Sequence, residues 1–292
     1  MLKLAAFDLE IAKTVPDNGD WDAARPLGIS CAMLHSDAFT YTWRGVPQMS
    51  REACVEMLTI MEECTRQGYM ICTHNGLSFD FRTLAEETGE IDRCARLAFH
   101  HHIDTMFLVT RVRGHFIGLD GVAIGMGVEP KRHTVTLNDG STIDDMNGAL
   151  APEMWRAGEY DAVLYYLMGD CEATLAVTEA ICEKGQISYA FKSGQGDGFH
   201  FEKLPTVMEV LQIERDIVDW IKWPHPYTKM LAWTGCNLYL VAQSNGDELE
   251  RVWRVPAHNE VDAVRLARRY AAFVSGAEFS AEIRWENKPH DE

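Results

Sequence analysis

The end of the first apolar run constrains this chain most. Residues 2–9 are mostly apolar and predict a buried central strand, with Asp8 and Glu10 at its far end. Because a strand sends alternate side chains to opposite faces, Asp8 and Glu10 share one face while Leu9 between them faces the core. Two carboxylates a few ångströms apart repel by roughly 4 kcal/mol at an effective dielectric of 20. The pattern therefore indicates a bound divalent cation, unless the acids are simply solvated where the strand leaves the core.

The composition limits the class of the protein and its partners. At 292 residues, the chain is long enough for one large domain, or one domain with a small appendage, and can bury a substantial core. Hydrophobic residues at 47% and charged residues at 24% are ordinary for a globular protein and argue against a disordered or fibrous chain. The formal charge of -17 excludes a broad basic surface, so a nucleic acid has to be held locally or through metal ions.

Cysteine usage predicts a reducing compartment. None of the eight cysteines belongs to a Cys-x-x-Cys pair, and most lie within apolar periodic segments, as reduced core thiols do. Residues 1–9 reach an acid too early for a signal peptide, and no later stretch is long and apolar enough to span a bilayer. We therefore expect a cytoplasmic protein with no membrane partner.

Apolar spacing and turn residues predict an α/β order of elements. Three strands, a helix and a fourth strand are expected over residues 2–9, 28–34, 39–43, 50–67 and 69–73. Ser50 is expected to begin the helix and Gly68 to end it. Further along, we expect a short strand from residue 102, helices over 107–112, 119–127 and 159–183, and a loop or small hairpin over 129–152, which includes Lys131-Arg132-His133.

A third acid follows the fourth strand. Residues 74–80 form a turn that opens a new helix, with Ser78 as the expected N-cap and Asp80 in the first turn. The helix dipole and its free amides favour an anion there, so capping alone also explains Asp80. Asp104 has two possible roles. It is either a further acid that supports a metal site or, as we favour, the N-cap of the helix that follows it.

The helix expected over residues 159–183 carries a tyrosine and an acid on its apolar face. Tyr166 and Asp170 are four residues apart, so their side chains point the same way. Burying an unpaired aspartate on such a face would cost several kcal/mol. Asp170 is therefore expected to have a partner.

These motifs occur in a definite order: Asp-x-Glu on a strand, Asn-Gly-x-x-Phe-Asp opening a helix, and Tyr-x-x-x-Asp late on a long helix. The order resembles the three motifs of the DEDD 3′→5′ exonucleases, in the class with a tyrosine in the third motif. The likeness is to the proofreading domain of family B DNA polymerases and its stand-alone bacterial relatives, and it covers residues 2–183. The first motif departs from it, because Ile11 stands where those domains commonly have threonine.

The resemblance implies a ribonuclease H-like α/β fold, with a mixed five-stranded sheet flanked by helices and followed here by a C-terminal α+β extension. The implied catalytic residues are Asp8, Glu10, Asp80, Tyr166 and Asp170. The four acids among them would bind two Mg²⁺ or Mn²⁺ ions, which prefer oxygen ligands. The implied partner is the 3′ end of single-stranded DNA, contacted by Leu9, Asn75 and Phe79. Asn75 and Phe79 are also explained as a turn amide and a core aromatic residue.

The chemistry of phosphodiester hydrolysis suits this set. Charge on the attacking and leaving oxygens has to be stabilised, which two metal ions roughly 3.5–4 Å apart can do together. We assign Asp8 as the bridging ligand, Glu10 and Asp170 to one ion, and Asp80, through water, to the other. Tyr166 would orient the attacking water, since a phenol with a pKa of about 10 is a poor base unaided.

We expect three parts in the chain: an exonuclease domain over 1–185, an extension over 186–235 that wraps it, and a small α+β appendage over 236–292. The appendage is expected to have strands at 238–243, 251–255 and 278–285 and a helix at 261–274, on which Arg265, Arg268 and Arg269 form a basic, solvated face. The run His100-His101-His102 cannot direct three rings at one ion from a strand, so we expect it on the surface.

Two alternatives are open to the sequence. RNA could be the substrate, as in ribonuclease D relatives of the tyrosine class, because a contact to the 2′-hydroxyl decides this and leaves no sequence signal. The chain could also be a non-catalytic nucleic-acid-binding module on the same fold. The presence of all four acids and the tyrosine argues against that module.

Overall fold

A mixed five-stranded sheet forms the centre of the molecule. The computed structural model describes residues 2–15, 21–213, 226–245, 248–270 and 278–285. The strands are β1 (Lys3–Ile11), β2 (Ile29–His35), β3 (Thr40–Arg44), β4 (Tyr69–Thr73) and β5 (His102–Asp104), in the order β3-β2-β1-β4-β5. Strand β2 is antiparallel to β1 and β3, whereas β1, β4 and β5 are parallel. The four strands predicted before residue 74 are confirmed.

Helices flank this sheet. They are α1 (Arg51–Arg66), α2 (Asp80–Thr88), α3 (Ile91–His100), α4 (Thr105–Arg113), α5 (Leu119–Met126), α6 (Ala151–Arg156) and α7 (Tyr160–Lys184). The expected start of α1 is confirmed, since the Ser50 side chain accepts a hydrogen bond from the Ala53 N–H at 3.2 Å. The long helix α7 packs on β1, β2 and β4. Among the described helices, none combines the length and apolarity needed to cross a membrane.

Two local predictions are wrong. Helix α2 begins at Asp80, with Phe79 rather than Ser78 at the N-cap position, because the chain is still in a turn closed by the Phe79 N–H and the Asn75 carbonyl at 3.0 Å. His102 is fully buried in β5 rather than on the surface. Its Nε2 lies 2.7 Å from the Thr73 hydroxyl, because the strand enters the sheet beside β4.

Some elements have no counterpart among the predictions. Helix α3 was not expected, nor was the hairpin of β8 (Gln186–Ala190) and β9 (Gly196–His200). The small hairpin expected within 129–152 is present as β6 (Val135–Thr136) and β7 (Thr142–Ile143). Helix α8 (Val207–Leu211) follows the β8–β9 hairpin, and α9 (Pro226–Leu231) comes after it.

The last part of the chain builds a second, smaller sheet. It consists of β10 (Asn237–Asn245), β11 (Glu248–Ala257), α10 (Glu260–Tyr270) and β12 (Glu278–Trp285), with the antiparallel order β11-β10-β12. The expected succession of strand, strand, helix and strand is confirmed, although residues 271–274 of the expected helix lie outside the described residues. Helix α10 covers a separate apolar cluster that includes Val241, Trp253 and Ala263. The Gln212 side chain joins this sheet to the rest through two hydrogen bonds to the Arg254 backbone.

Candidate active site

Four acids from three elements lie together near the end of β1. Asp8 and Glu10 come from β1, Asp80 opens α2, and Asp170 lies on α7. The Leu9 N–H donates to Oδ1 of Asp8 at 3.0 Å and to Oδ1 of Asp80 at 3.2 Å. These two carboxylates therefore share one backbone donor. The Leu9 side chain between the two acids is 3% exposed and lies in the core, as predicted.

Tyr166 and Asp170 face the cluster from one side of α7. Tyr166 is 1% exposed and Asp170 8%, and both side chains contact the same cation. The Nζ of Lys131 lies 2.6 Å from the Tyr166 hydroxyl and 3.3 Å from Oδ2 of Asp170. The neighbouring Tyr165 is 50% exposed and lies on the solvent side of the helix. The structure therefore supplies one cation at the edge of the acid cluster.

Burial raises the pKa of every acid in the cluster, and repulsion by the other cluster acids raises it further for Asp8 and Glu10. For Asp8, burial is the largest cause, followed by the charges of Asp80 and Asp170. Burial and then Asp170 raise the pKa of Glu10 well above its ordinary value. Burial raises the pKa of Asp80 to about 7. Burial also raises the pKa of Asp170, against the lowering effect of Lys131. Acids this close are stable only when they share protons or when cations lie among them.

Lys131 is the site residue that the sequence analysis missed. It lies in the loop between α5 and β6, where its backbone N–H donates to Oδ1 of Asp120 at 3.2 Å. The other oxygen of Asp120 lies 2.9 Å from Nε2 of His133, which fixes the same loop a second time. The available signal was a run of three basic residue types, 131–133, in a chain with a net charge of -17.

The donor set fits hard divalent cations. All four groups are carboxylates, which Mg²⁺ and Mn²⁺ prefer as ligands. Oδ1 of Asp170 is buried and has no hydrogen-bond partner among the described residues, a costly state for a charged oxygen. In the same part of the chain, no three His, Cys, Asp or Glu side chains are already arranged as a metal site. Like-charged side chains separate when no ion lies between them, and the unpaired oxygen of Asp170 is available as a ligand.

A cavity of about 590 Å³ opens beside the acids, and Asp8 and Asn75 are among the residues that line it. Asn75 has a positive φ of 77°, a conformation that asparagine tolerates in tight turns. Leu9 lies in the core and offers only its N–H to the acids. The Phe79 ring packs partly against the core, 5.6 Å from the Trp21 ring and edge-on to it. Of the three implied substrate contacts, Asn75 is the one placed in the cavity lining.

Asp104 supports the turn that precedes Asp80. Its carboxylate accepts the Phe107 N–H at 2.9 Å, which confirms the predicted N-cap of α4. The same carboxylate accepts the N–H groups of Asn75 at 3.0 Å and Leu77 at 2.8 Å. A single buried acid therefore fixes both the start of α4 and the turn that presents Asp80.

The fold and the site together define a mixed α/β protein with a buried acidic cluster at the end of a cleft. A scan against protein-family models finds no match for this chain, and a search of the curated proteins finds no similar one.

Proposed function

We propose that this protein is a metal-dependent 3′→5′ exonuclease that hydrolyses phosphodiester bonds at single-stranded DNA 3′ ends and releases nucleoside monophosphates. The observation that carries the proposal is a convergence of five side chains beside one cavity, those of Asp8, Glu10, Asp80, Tyr166 and Asp170. Carboxylates that are buried this closely raise one another's pKa, which is typical of functional sites.

We also propose that the protein belongs to the DEDD exonucleases of the tyrosine class and has a ribonuclease H-like fold. A mixed five-stranded sheet flanked by helices is compatible with that architecture. The residues of the three motifs lie on a strand, at the start of a helix and within the first half of a long helix, which supports the proposal. Tyr166, rather than Tyr165, faces the acids, which supports the tyrosine class.

Two bound Mg²⁺ or Mn²⁺ ions would supply charge stabilisation at the attacking and leaving oxygens. Asp8, Glu10, Asp80 and Asp170 would hold these ions through their carboxylate oxygens. Burial and the neighbouring acids raise the pKa of Tyr166 above its ordinary value, so its hydroxyl stays protonated. Its role is therefore to orient the attacking water by a hydrogen bond, and it is not the base.

The test is degradation of a 5′-labelled single-stranded oligonucleotide by the purified protein with Mn²⁺ or Mg²⁺. A ladder that shortens from the 3′ end is expected, and Asp8→Ala or Asp170→Ala should abolish it. Asp145→Ala, which removes an exposed acid from the 129–152 loop, is the matched control and should keep full activity. Undiminished cleavage by both site variants would show that the reaction occurs elsewhere.

DNA and RNA oligonucleotides of matched sequence decide the substrate. We expect faster degradation of DNA. A preference for RNA would indicate a contact to the 2′-hydroxyl and would change the proposed substrate from DNA to RNA. Metal-dependent stabilisation and binding without cleavage of either strand would identify a non-catalytic module instead.

A further inference from the structure

The β8–β9 hairpin packs its first strand against α5 at backbone distance. Gly121 and Gly125 lie four residues apart on one face of α5. A Cβ on Gly125 would collide with the Tyr189 backbone, and one on Gly121 would lie 2.8 Å from the Ala190 carbonyl oxygen. The two glycines therefore allow β8 to lie this close to the helix, which sets the position of the hairpin tip.

Contacts from α4 and the residues that follow it fix the hairpin further. Nε of Arg113 lies 2.9 Å from Oδ2 of Asp197 on β9. The His115 ring lies 5.6 Å from the Tyr189 ring and 5.5 Å from the Phe191 ring. At the tip, the Phe191 N–H donates to the Gln195 carbonyl at 2.7 Å, which closes a tight turn. The tip is thus held in place before any ligand arrives.

The hairpin tip lines the same cavity as the acid cluster. Ala190, Phe191 and Lys192 form part of its wall, and Phe116 forms another part. Phe116 is 56% exposed and Phe191 37%, although solvent exposure of large aromatic rings is unfavourable. The wall beyond the acids therefore offers two accessible rings and an ammonium group.

We infer that Phe116, Phe191 and Lys192 bind the nucleotides that precede the terminal one on a single strand, an inference that rests on the proposed exonuclease function. If the reacting phosphodiester lies at the acids, the strand leaves along the cavity wall. Aromatic rings stack on any base, and the Lys192 ammonium complements the phosphates that neither ring can hold. The hairpin, which follows the last exonuclease motif, thereby becomes part of the substrate channel.

Two substrates separate this role from the chemistry. Oligo(dT) of twelve nucleotides reaches the wall, whereas the p-nitrophenyl ester of thymidine 5′-monophosphate occupies only the terminal site. Phe116→Ala and Phe191→Ala should each lower kcat/KM on the oligonucleotide by roughly 5-fold to 150-fold, mainly through KM. Both variants should hydrolyse the ester as the wild type does. The wild type should also gain kcat/KM as the strand lengthens from two nucleotides, and the variants should gain less.

Further variants guard against a general loss of folding. Phe116→Leu and Phe191→Leu keep apolar volume without a ring, and they should behave like the alanine variants. Tyr41→Ala removes an aromatic ring that is 40% exposed on β3 and should change neither substrate. Lys192→Gln should weaken oligonucleotide binding and reduce its salt dependence, by about one unit of slope.

Two kinetic results would overturn the inference. Equal losses on both substrates would show that the rings support the acid cluster, and unchanged kinetics on the oligonucleotide would show that the strand does not contact them.

A wild type that hydrolyses neither substrate would refute the proposed function but not the channel. In that case, fluorescence anisotropy with labelled oligo(dT) in EDTA decides: weaker binding by the ring variants supports the channel, and unchanged or absent binding rejects it.

Discussion

The ammonium of Lys131 lies 2.6 Å from the hydroxyl oxygen of Tyr166 and 5.0 Å from the centre of its ring. An ammonium group has only donors, so the Tyr166 oxygen accepts this hydrogen bond. The phenolic hydrogen is then free to point away from Lys131, and Asp170 lies four residues further along the same helix. Lys131 thus sets the direction of the hydroxyl group that we propose orients the attacking water, and it brings a positive charge to the acids.

Removing the charge of Lys131 should destabilise the metal-free protein and strengthen its binding of divalent ions. Lys131→Met leaves Asp170 without its cation, and we expect the free energy of unfolding in EDTA to fall by about 1–3 kcal/mol. The Mn²⁺ concentration for half-maximal stabilisation should fall as well, because the acids lose a competing cation. Urea unfolding across a Mn²⁺ titration measures both effects.

The matched control for this change is Lys203→Met. Lys203 also pairs with an acid, Glu209, but its side chain is 77% exposed. Its replacement should change the unfolding free energy by less than about 0.5 kcal/mol and leave Mn²⁺ binding unaltered. Weaker Mn²⁺ binding in Lys131→Met than in the wild type would contradict the proposed competition.

The acid cluster should make the metal-free protein less stable as the pH rises. The pKa of Asp80 is raised to about 7 in the folded state, and an unfolded aspartate titrates near a pKa of about 4. Between these values the folded state binds more protons, so the contribution of Asp80 to stability falls with increasing pH. Excess Mn²⁺ should reverse the fall at neutral pH, because it binds the ionised carboxylates.

Urea unfolding in EDTA at several pH values between 4 and 8 measures this effect. His74 and His102 act in the opposite sense, since burial lowers their pKa values to about 4 and about 3. The comparison with Asp80→Asn, whose amide does not titrate, separates the two contributions. The variant should lose less stability than the wild type as the pH rises, and identical slopes would refute the assignment.

Much of the central sheet could be predicted because its information is local. The apolar run before Asp8 and the turns between the first strands determine how long these strands are and in which order they follow one another. The four-residue spacing of Tyr166 and Asp170 likewise needs only one helix to place both side chains together. The order of the three motifs predicts that their side chains meet at one cleft. No single motif would support that prediction.

The rest of the site depends on contacts distant in the chain. Lys131 reaches the acids because Asp120 holds its loop, and no local pattern encodes that contact. The hairpin that begins at Gln186 depends on two glycines of α5, which in the sequence look only like breaks in a short helix. Ser78 has the right residue type for an N-cap, but the preceding turn continues through it.

Tyr166→Phe should separate catalysis from metal binding. The phenylalanine keeps the buried ring but removes the hydroxyl, so we expect kcat on oligonucleotides to fall by roughly 100-fold. The four carboxylates are unchanged, and stabilisation by Mn²⁺ should persist. Tyr165→Phe is the matched control, because Tyr165 is the next residue on the same helix and is 50% exposed. Full activity in Tyr166→Phe would remove the tyrosine from the proposed reaction.

Asp104→Ala should be among the most destabilising changes near the site. It leaves the N–H groups of Asn75, Leu77 and Phe107 without their acceptor, and we expect the free energy of unfolding to fall by about 2–4 kcal/mol. Ser50→Ala removes an exposed N-cap with one such bond and should cost only about 1 kcal/mol. Urea unfolding of both variants measures the difference. Equal losses would mean that Asp104 acts as a simple helix cap and that the turn before Asp80 is held by other contacts.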